Sequence, residues 1–216
     1  MIYVYWRGKF DKEPLTLLAR SFFLGVLSAG IAIVLQYAID FVFPFEASGY
    51  FTATAIKTYA KIGLSEEWAK FVLLIFFIFP HKNFDEPYDG ITYAVMISMG
   101  FASFENVLYM VRYGNDVIYW RAFTAVPAHA TFAIGMGYYV GLAKFSKYRN
   151  AYLALGLLIA TLMHGTYDFF LSLDRIPYLA FGAFISLVLG IIWSLKAIKK
   201  HANRTNQIDG FDEVVY

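Results

Sequence analysis

Six stretches of this chain are each predominantly apolar over about twenty residues, the length an α-helix needs to cross a bilayer core of about 30 Å. They fall at 15 to 43, 58 to 79, 91 to 113, 118 to 143, 151 to 173 and 177 to 198. A chain in lipid must satisfy its own backbone hydrogen bonds, so the expected fold is all-α: a polytopic transmembrane helical bundle of about six spans. Composition agrees, with 59% hydrophobic and 16% charged residues, against about 45 to 50% and about 25% in soluble domains. One membrane domain at 15–198 is expected, between polar tails at 1–14 and 199–216. The first apolar stretch, beginning near Leu15, outruns a signal h-region and is expected to stay as an anchor. The second span is the weakest. Its uninterrupted apolar part, Trp68 to Phe79, is too short to cross alone, and 51 to 61 reads as an interfacial amphipathic helix leading into it.

A net charge of +2 with no basic stripe gives nucleic acid nothing to bind, and the absence of cysteine excludes disulfides and thiol nucleophiles. Lys and Arg favour the cytoplasmic side of short loops. With alternating spans, Arg7, Lys9, Lys12, Lys82, Lys144, Lys147, Arg149 and the basic residues from Lys196 onward share one side. Only Lys57, Lys61, Arg112 and Arg175 take the other. A multi-pass cell-membrane protein with both termini cytoplasmic is expected.

Ionisable groups at the bilayer centre cost about 2.5 to 3.5 kcal/mol each and persist when paired or used. Glu66, Glu67, Lys70, Glu105, Arg121, His129, His164 and Asp168 all fall inside the spans. At about 1.5 Å of rise per residue, Glu66, Glu67, Glu105, His129 and His164 lie roughly 12 to 17 Å below the non-cytoplasmic ends of their helices. One depth on four helices implies a shared polar cavity. Residues four apart share a helix face, so Glu66 is expected to face Lys70, Phe101 to lie over Glu105, and His164 and Asp168 to project together. Pro127 is expected to kink the fourth span beside His129. Gly100, Gly135, Gly137 and Gly165 allow close helix packing. Arg20 and Asp40 read as snorkelling or packing residues, His81, Asp85, Glu86 and Asp89 as a solvated loop, and His201 as part of the polar tail.

In order, Glu66-Glu67-Trp-Ala-Lys70, Asp89-Gly90, Gly100-Phe101-Ala-Ser-Phe-Glu105-Asn106, Arg121 with Pro127-Ala-His129, and His164-Gly-Thr-Tyr-Asp168 resemble the PrsW family of intramembrane proteases. That family belongs to the CAAX-protease and bacteriocin-processing superfamily. The resemblance covers residues 60 to 170. It departs from the CAAX branch at Glu105, where that branch has a histidine, and at Asp168, where it has an asparagine, and it fits the PrsW pattern at both. It implies a glutamic-type endopeptidase of the membrane that hydrolyses a peptide bond with glutamate-activated water. Its partners would be the lipid bilayer and a single-span membrane protein, such as an anti-sigma factor.

Amide hydrolysis needs a base for water, donors for the oxyanion and an acid for the leaving nitrogen. Glu66 or Glu67 is the candidate base, and His164 the donor, with Asp168 expected to fix its tautomer. Glu105 belongs to the candidate catalytic set, His129 and Arg121 are candidates for oxyanion or substrate contacts, Lys70 for charge balance and Asn106 for the substrate backbone. No cofactor is expected. The chain has no His-Glu-x-x-His motif, its histidines sit on separate spans, and Lys70 and Arg121 oppose a divalent cation. A His2Glu zinc protease and an ion transporter built on the same groups are the alternatives.

Overall fold

The computed structural model describes residues 13–43 and 49–212, with side chains described as far as Ala202. α1 (Leu15–Val42) is followed by a continuous helical rod from Tyr50 to Ile78. In that rod α2 (Tyr50–Ala55) and α3 (Leu64–Leu73) alternate with π-helical stretches at Ile56–Gly63 and Leu74–Ile78. Then come α4 (Pro87–Tyr113), α5 (Asp116–Phe123), α6 (Ala125–Lys144), α7 (Arg149–Leu171), a 3-10 turn at Pro177–Ala180, and α8 (Phe181–Asp212). Among the described residues there is no strand. The chain is a multi-pass membrane protein. Leu15–Val42, Pro87–Tyr113, Arg149–Leu171 and Pro177–Ala202 are each long and apolar enough to cross a membrane. The remaining two crossings are interrupted by the polar groups of the candidate site.

α4 is the central helix. It begins sharply because Pro87 occupies the first turn and the Asp89 carboxylate accepts the backbone N–H groups of Asp85 (3.0 Å) and Glu86 (2.7 Å), forming a capping box. It ends at Gly114, whose φ of 88° suits a residue without Cβ. Packing against α1 is backbone to backbone. A Cβ on Gly100 would stand 1.9 Å from the Phe22 carbonyl oxygen, and one on Gly25 the same distance from that of Ile97. On its other side α4 meets α6, where a Cβ on Gly137 would lie 2.3 Å from the Gly90 oxygen. Small residues are what let membrane helices approach this closely. Between these crossings lies the core, with Leu74, Ile78, Tyr93, Ile97 and Val140 fully buried.

Several expectations need correction. The fourth span is two helices, broken at Thr124 (φ −121°, ψ −69°), so Pro127 sits in the first turn of α6 instead of kinking a long helix. First-turn proline is tolerated because the N–H it lacks has no partner there anyway. The stretch 51 to 61 is the first part of the rod itself and packs on α7. Past residue 198, α8 continues to Asp212, and His201 is fully buried, donating through Nδ1 to the Pro87 carbonyl at 3.0 Å. Asp89 is buried too, its carboxylate engaged in the cap. Of the N-terminal tail only Glu13 and Pro14 are described, and the Tyr93 hydroxyl donates to the Glu13 carboxylate. Where α1 ends, Asp40 pairs with Lys61 at 2.6 Å. Across the same end of the bundle the Tyr50 hydroxyl donates to exposed Asp174 at 2.8 Å, holding that carboxyl below its usual range.

Candidate active site

α3 carries Glu66, Glu67 and Lys70, all buried. The adjacent glutamates point differently because successive helical residues are about 100° apart. Glu67 turns into the protein. Its Oε1 accepts Lys70 Nζ at 2.7 Å and His164 Nδ1 at 2.8 Å. Lys70 also lies 3.9 Å from the Phe101 ring centroid and 3.4 Å from His129 Nδ1. Lys70 therefore answers Glu67, three residues before it, and not Glu66, four before it, as expected from spacing. Phe101 lines the cavity with Glu105, one turn on.

Glu66 faces a cavity of about 490 Å³ that Glu105, Arg121, His129, His164 and Asp168 also line. Its Oε1 accepts the side-chain N–H of Gln36 at 3.4 Å, and its buried Oε2 has no hydrogen-bond partner among the described residues. His164 Nε2 stands 3.8 Å from Glu66 Oε2 and 3.4 Å from Asp168 Oδ2. His164 thus lies closer to Glu67 through Nδ1, at 2.8 Å, than to Asp168 through Nε2. On the facing wall Glu105 Oε2 accepts Arg121 Nη2 at 2.6 Å and His129 Nε2 at 2.9 Å. Arg121 Nε donates to Asn106 Oδ1 at 2.7 Å, so that amide oxygen already has a partner, and the guanidinium stacks 3.8 Å over Tyr109. Behind the histidines, Phe132 stacks on His164 with ring centroids 4.8 Å apart and closes the floor.

All six candidate catalytic residues gather here, on four elements: α3, α4, α6 and α7. Glu67 alone among them is not a cavity wall but stands behind His164. Lys70 and Asn106 likewise support the wall from behind. Sequence reasoning missed Gln36. Its signal is a lone amide in an otherwise apolar stretch of α1, where an unpartnered polar group is costly.

The family described as PrsW family intramembrane metalloprotease matches residues 13–195. The chain belongs to the PrsW family of intramembrane proteases. Protease PrsW of Bacillus subtilis is 37% identical over 172 residues, 79% of this chain and 76% of that protein. Protease PrsW of Geobacillus kaustophilus is 34% identical over 201 residues, 92% and 85% of the two chains. The Protease PrsW of Clostridioides difficile is 30% identical over 219 residues, 96% and 89%. No solved structure matches the chain. Residues 13–195 take in all of α1, so Gln36 lies within the matched PrsW region although the motif resemblance begins only near residue 60.

The family description raises the question of a metal, and the donors fit one. Glu66, His129 and His164 each offer a ligand atom, all within 4.8 Å of one another, which is the His2Glu set of a catalytic zinc. The orphaned Glu66 Oε2 and the carboxylate behind His164 Nδ1 suit first and outer ligand roles. Lys70 and Arg121 oppose a cation less than their charges suggest, since each is paired with a glutamate. Counting charges, Glu66, Glu67, Glu105 and Asp168 outnumber Lys70 and Arg121 by two. Protons on the histidines or carboxylates relieve that excess, and so does one divalent cation.

Proposed function

We propose that this PrsW protease hydrolyses a peptide bond of a membrane-embedded substrate with water activated by Glu66, without a metal. The observation that carries the reading is the unequal placement of the glutamate pair: Glu66 lines the cavity and its Oε2 has no hydrogen-bond partner among the described residues, while Glu67 is tied to Lys70 and His164. Glu66 takes a proton from water, and the hydroxide adds to the scissile carbonyl carbon. His164, steered through Nδ1 by Glu67, points Nε2 into the cavity, where a proton on it serves the oxyanion or the leaving nitrogen as the C–N bond breaks. Arg121, held by Glu105, sits across the cavity as a donor for substrate carbonyls, and His129 fixes that carboxylate from the other side. Buried apolar side chains of Leu74, Ile78, Ile97 and Met136 lie beneath this chamber, which favours a reaction vessel over a continuous ion path.

The substrate class is a single-span membrane protein, an anti-sigma factor being the case the family resemblance implies. Both termini are assigned to the cytoplasm from the distribution of Lys and Arg, which sets the cavity mouth on the opposite face.

A metal-dependent mechanism is the second reading, favoured by the clustering of the Glu66, His129 and His164 donor atoms. A divalent cation held by these three would polarise the scissile carbonyl and make bound water more acidic. Against it, both nitrogens of His129 already face partners, Nε2 at Glu105 and Nδ1 at Lys70. Purified protein cleaving a single-span substrate in detergent should keep its rate in a strong zinc chelator and lose it with His164→Ala. Activity lost on chelation and restored by zinc would overturn the metal-free mechanism.

A further inference from the structure

Five basic residues lie at the end of the bundle where the cavity opens. Lys61 pairs with Asp40 at 2.6 Å and Arg121 with Glu105 at 2.6 Å. Lys57, Arg112 and Arg175 have no carboxylate within 4.0 Å among the described residues. Arg175 lies 4.7 Å over the Tyr50 ring, and Arg112 5.2 Å over the ring of its neighbour Tyr113. Lys57 and Arg112 are exposed and line the catalytic cavity, Lys57 from the Ile56–Gly63 stretch and Arg112 from the end of α4, whereas Arg175 is not among its walls. The two cations at the cavity mouth are thus ones that no carboxylate among the described residues pairs with.

Their depth fixes what they can reach. Arg112 lies seven residues beyond Glu105 on α4 and Lys57 nine before Glu66 on the rod. At about 1.5 Å per helical residue, both stand roughly 10 to 13 Å nearer the membrane surface than the glutamates. An extended peptide covers that distance in about three or four residues at roughly 3.3 Å each. We propose that Lys57 and Arg112 form a subsite for acidic side chains of the substrate, three to four residues from the scissile bond toward the mouth. The subsite selects single-span proteins whose segment just outside the membrane carries Asp or Glu. It rests on Glu66 marking the place of cleavage.

The test uses one single-span substrate with Asp-Glu, Asn-Gln or Lys-Lys at those positions, in uncharged detergent free of anionic lipid. The wild-type enzyme should prefer Asp-Glu over Asn-Gln by roughly five- to tenfold in kcat/KM, mostly through KM, as two partly solvated ion pairs allow. Raised salt should shrink the preference, and moving the acidic pair about eight residues away should abolish it. Lys57→Glu with Arg112→Glu should instead prefer Lys-Lys. Kd values measured with the Glu66→Gln protein should follow the same order, so the subsite is read even where no cleavage occurs. An unchanged order in the charge-reversed enzyme, or an equal loss on all three substrates as a lipid-headgroup or packing role would give, overturns the proposal. Cleavage by Glu66→Gln at the wild-type rate, with the Kd order intact, would instead overturn only the assignment of the base.

Discussion

In the proposed mechanism two neighbouring carboxylates, Glu66 and Glu67, divide the work of the site because a helix turns about 100° between them. Glu67 shares a buried ion pair with Lys70, whose side chains are 1% and 3% exposed, so removing one charge strands the other. Glu67→Gln should therefore lower stability by about 3 to 5 kcal/mol, and Glu67→Gln with Lys70→Met should recover much of the loss, both read by thermal unfolding in detergent. Glu66→Gln should melt close to wild type. Equal losses for Glu66→Gln and Glu67→Gln would contradict the division. Gln36→Leu, which removes the amide donor to Glu66 Oε1, should lower kcat several-fold with KM little changed; an unaltered kcat would leave Gln36 as a lining residue only. Much of this was legible in the sequence. Buried charge at one depth grouped Glu66, Glu67, Glu105, His129 and His164, which the structure gathers, and four-residue spacing brought Asp168 beside His164. The partner of Lys70 was not legible, since i,i+3 and i,i+4 are both neighbours on a helix. Nor was Gln36, a single amide outside any motif.

At the scale of elements, α1 and α4 meet where Gly25 and Gly100 bring backbone against backbone, and this contact carries Gln36 to the cavity. Gly100→Ala should push the helices apart and cost both stability and activity, because its Cβ would stand 1.9 Å from a main-chain oxygen that cannot rotate away. Gly30→Ala on α1 is the control, having nothing within 4 Å, and should be neutral or slightly stabilising in the same unfolding assay. A neutral Gly100→Ala would mean that the two helices do not touch there. Gly100 was readable from sequence as a packing residue, but its partner was not, as composition does not say which helix comes close. The π-helical stretch Ile56–Gly63 was not legible either. It shifts the rotational phase of the glutamates from what a regular helix would give, and such stretches recur at functional sites. The break at Thr124 escaped notice because Pro127 drew the expected irregularity three residues too late.

For the whole molecule, the cavity opens at the end where α1, α4 and α7 finish, and the apolar core closes the other. With no native cysteine, single cysteines can report sidedness. One placed at Asn115 should react with an impermeant reagent in intact cells, while one placed at Lys82 should not; the reverse pattern would invert the proposed orientation. The central claim, that Glu66 activates the water that cleaves a membrane-embedded peptide, is tested most directly by turnover of a single-span substrate by purified Glu66→Gln. Removal of a general base should lower kcat by roughly 10²- to 10⁴-fold, with KM and melting temperature near wild type. Turnover at close to the wild-type rate in a correctly folded Glu66→Gln protein would contradict it.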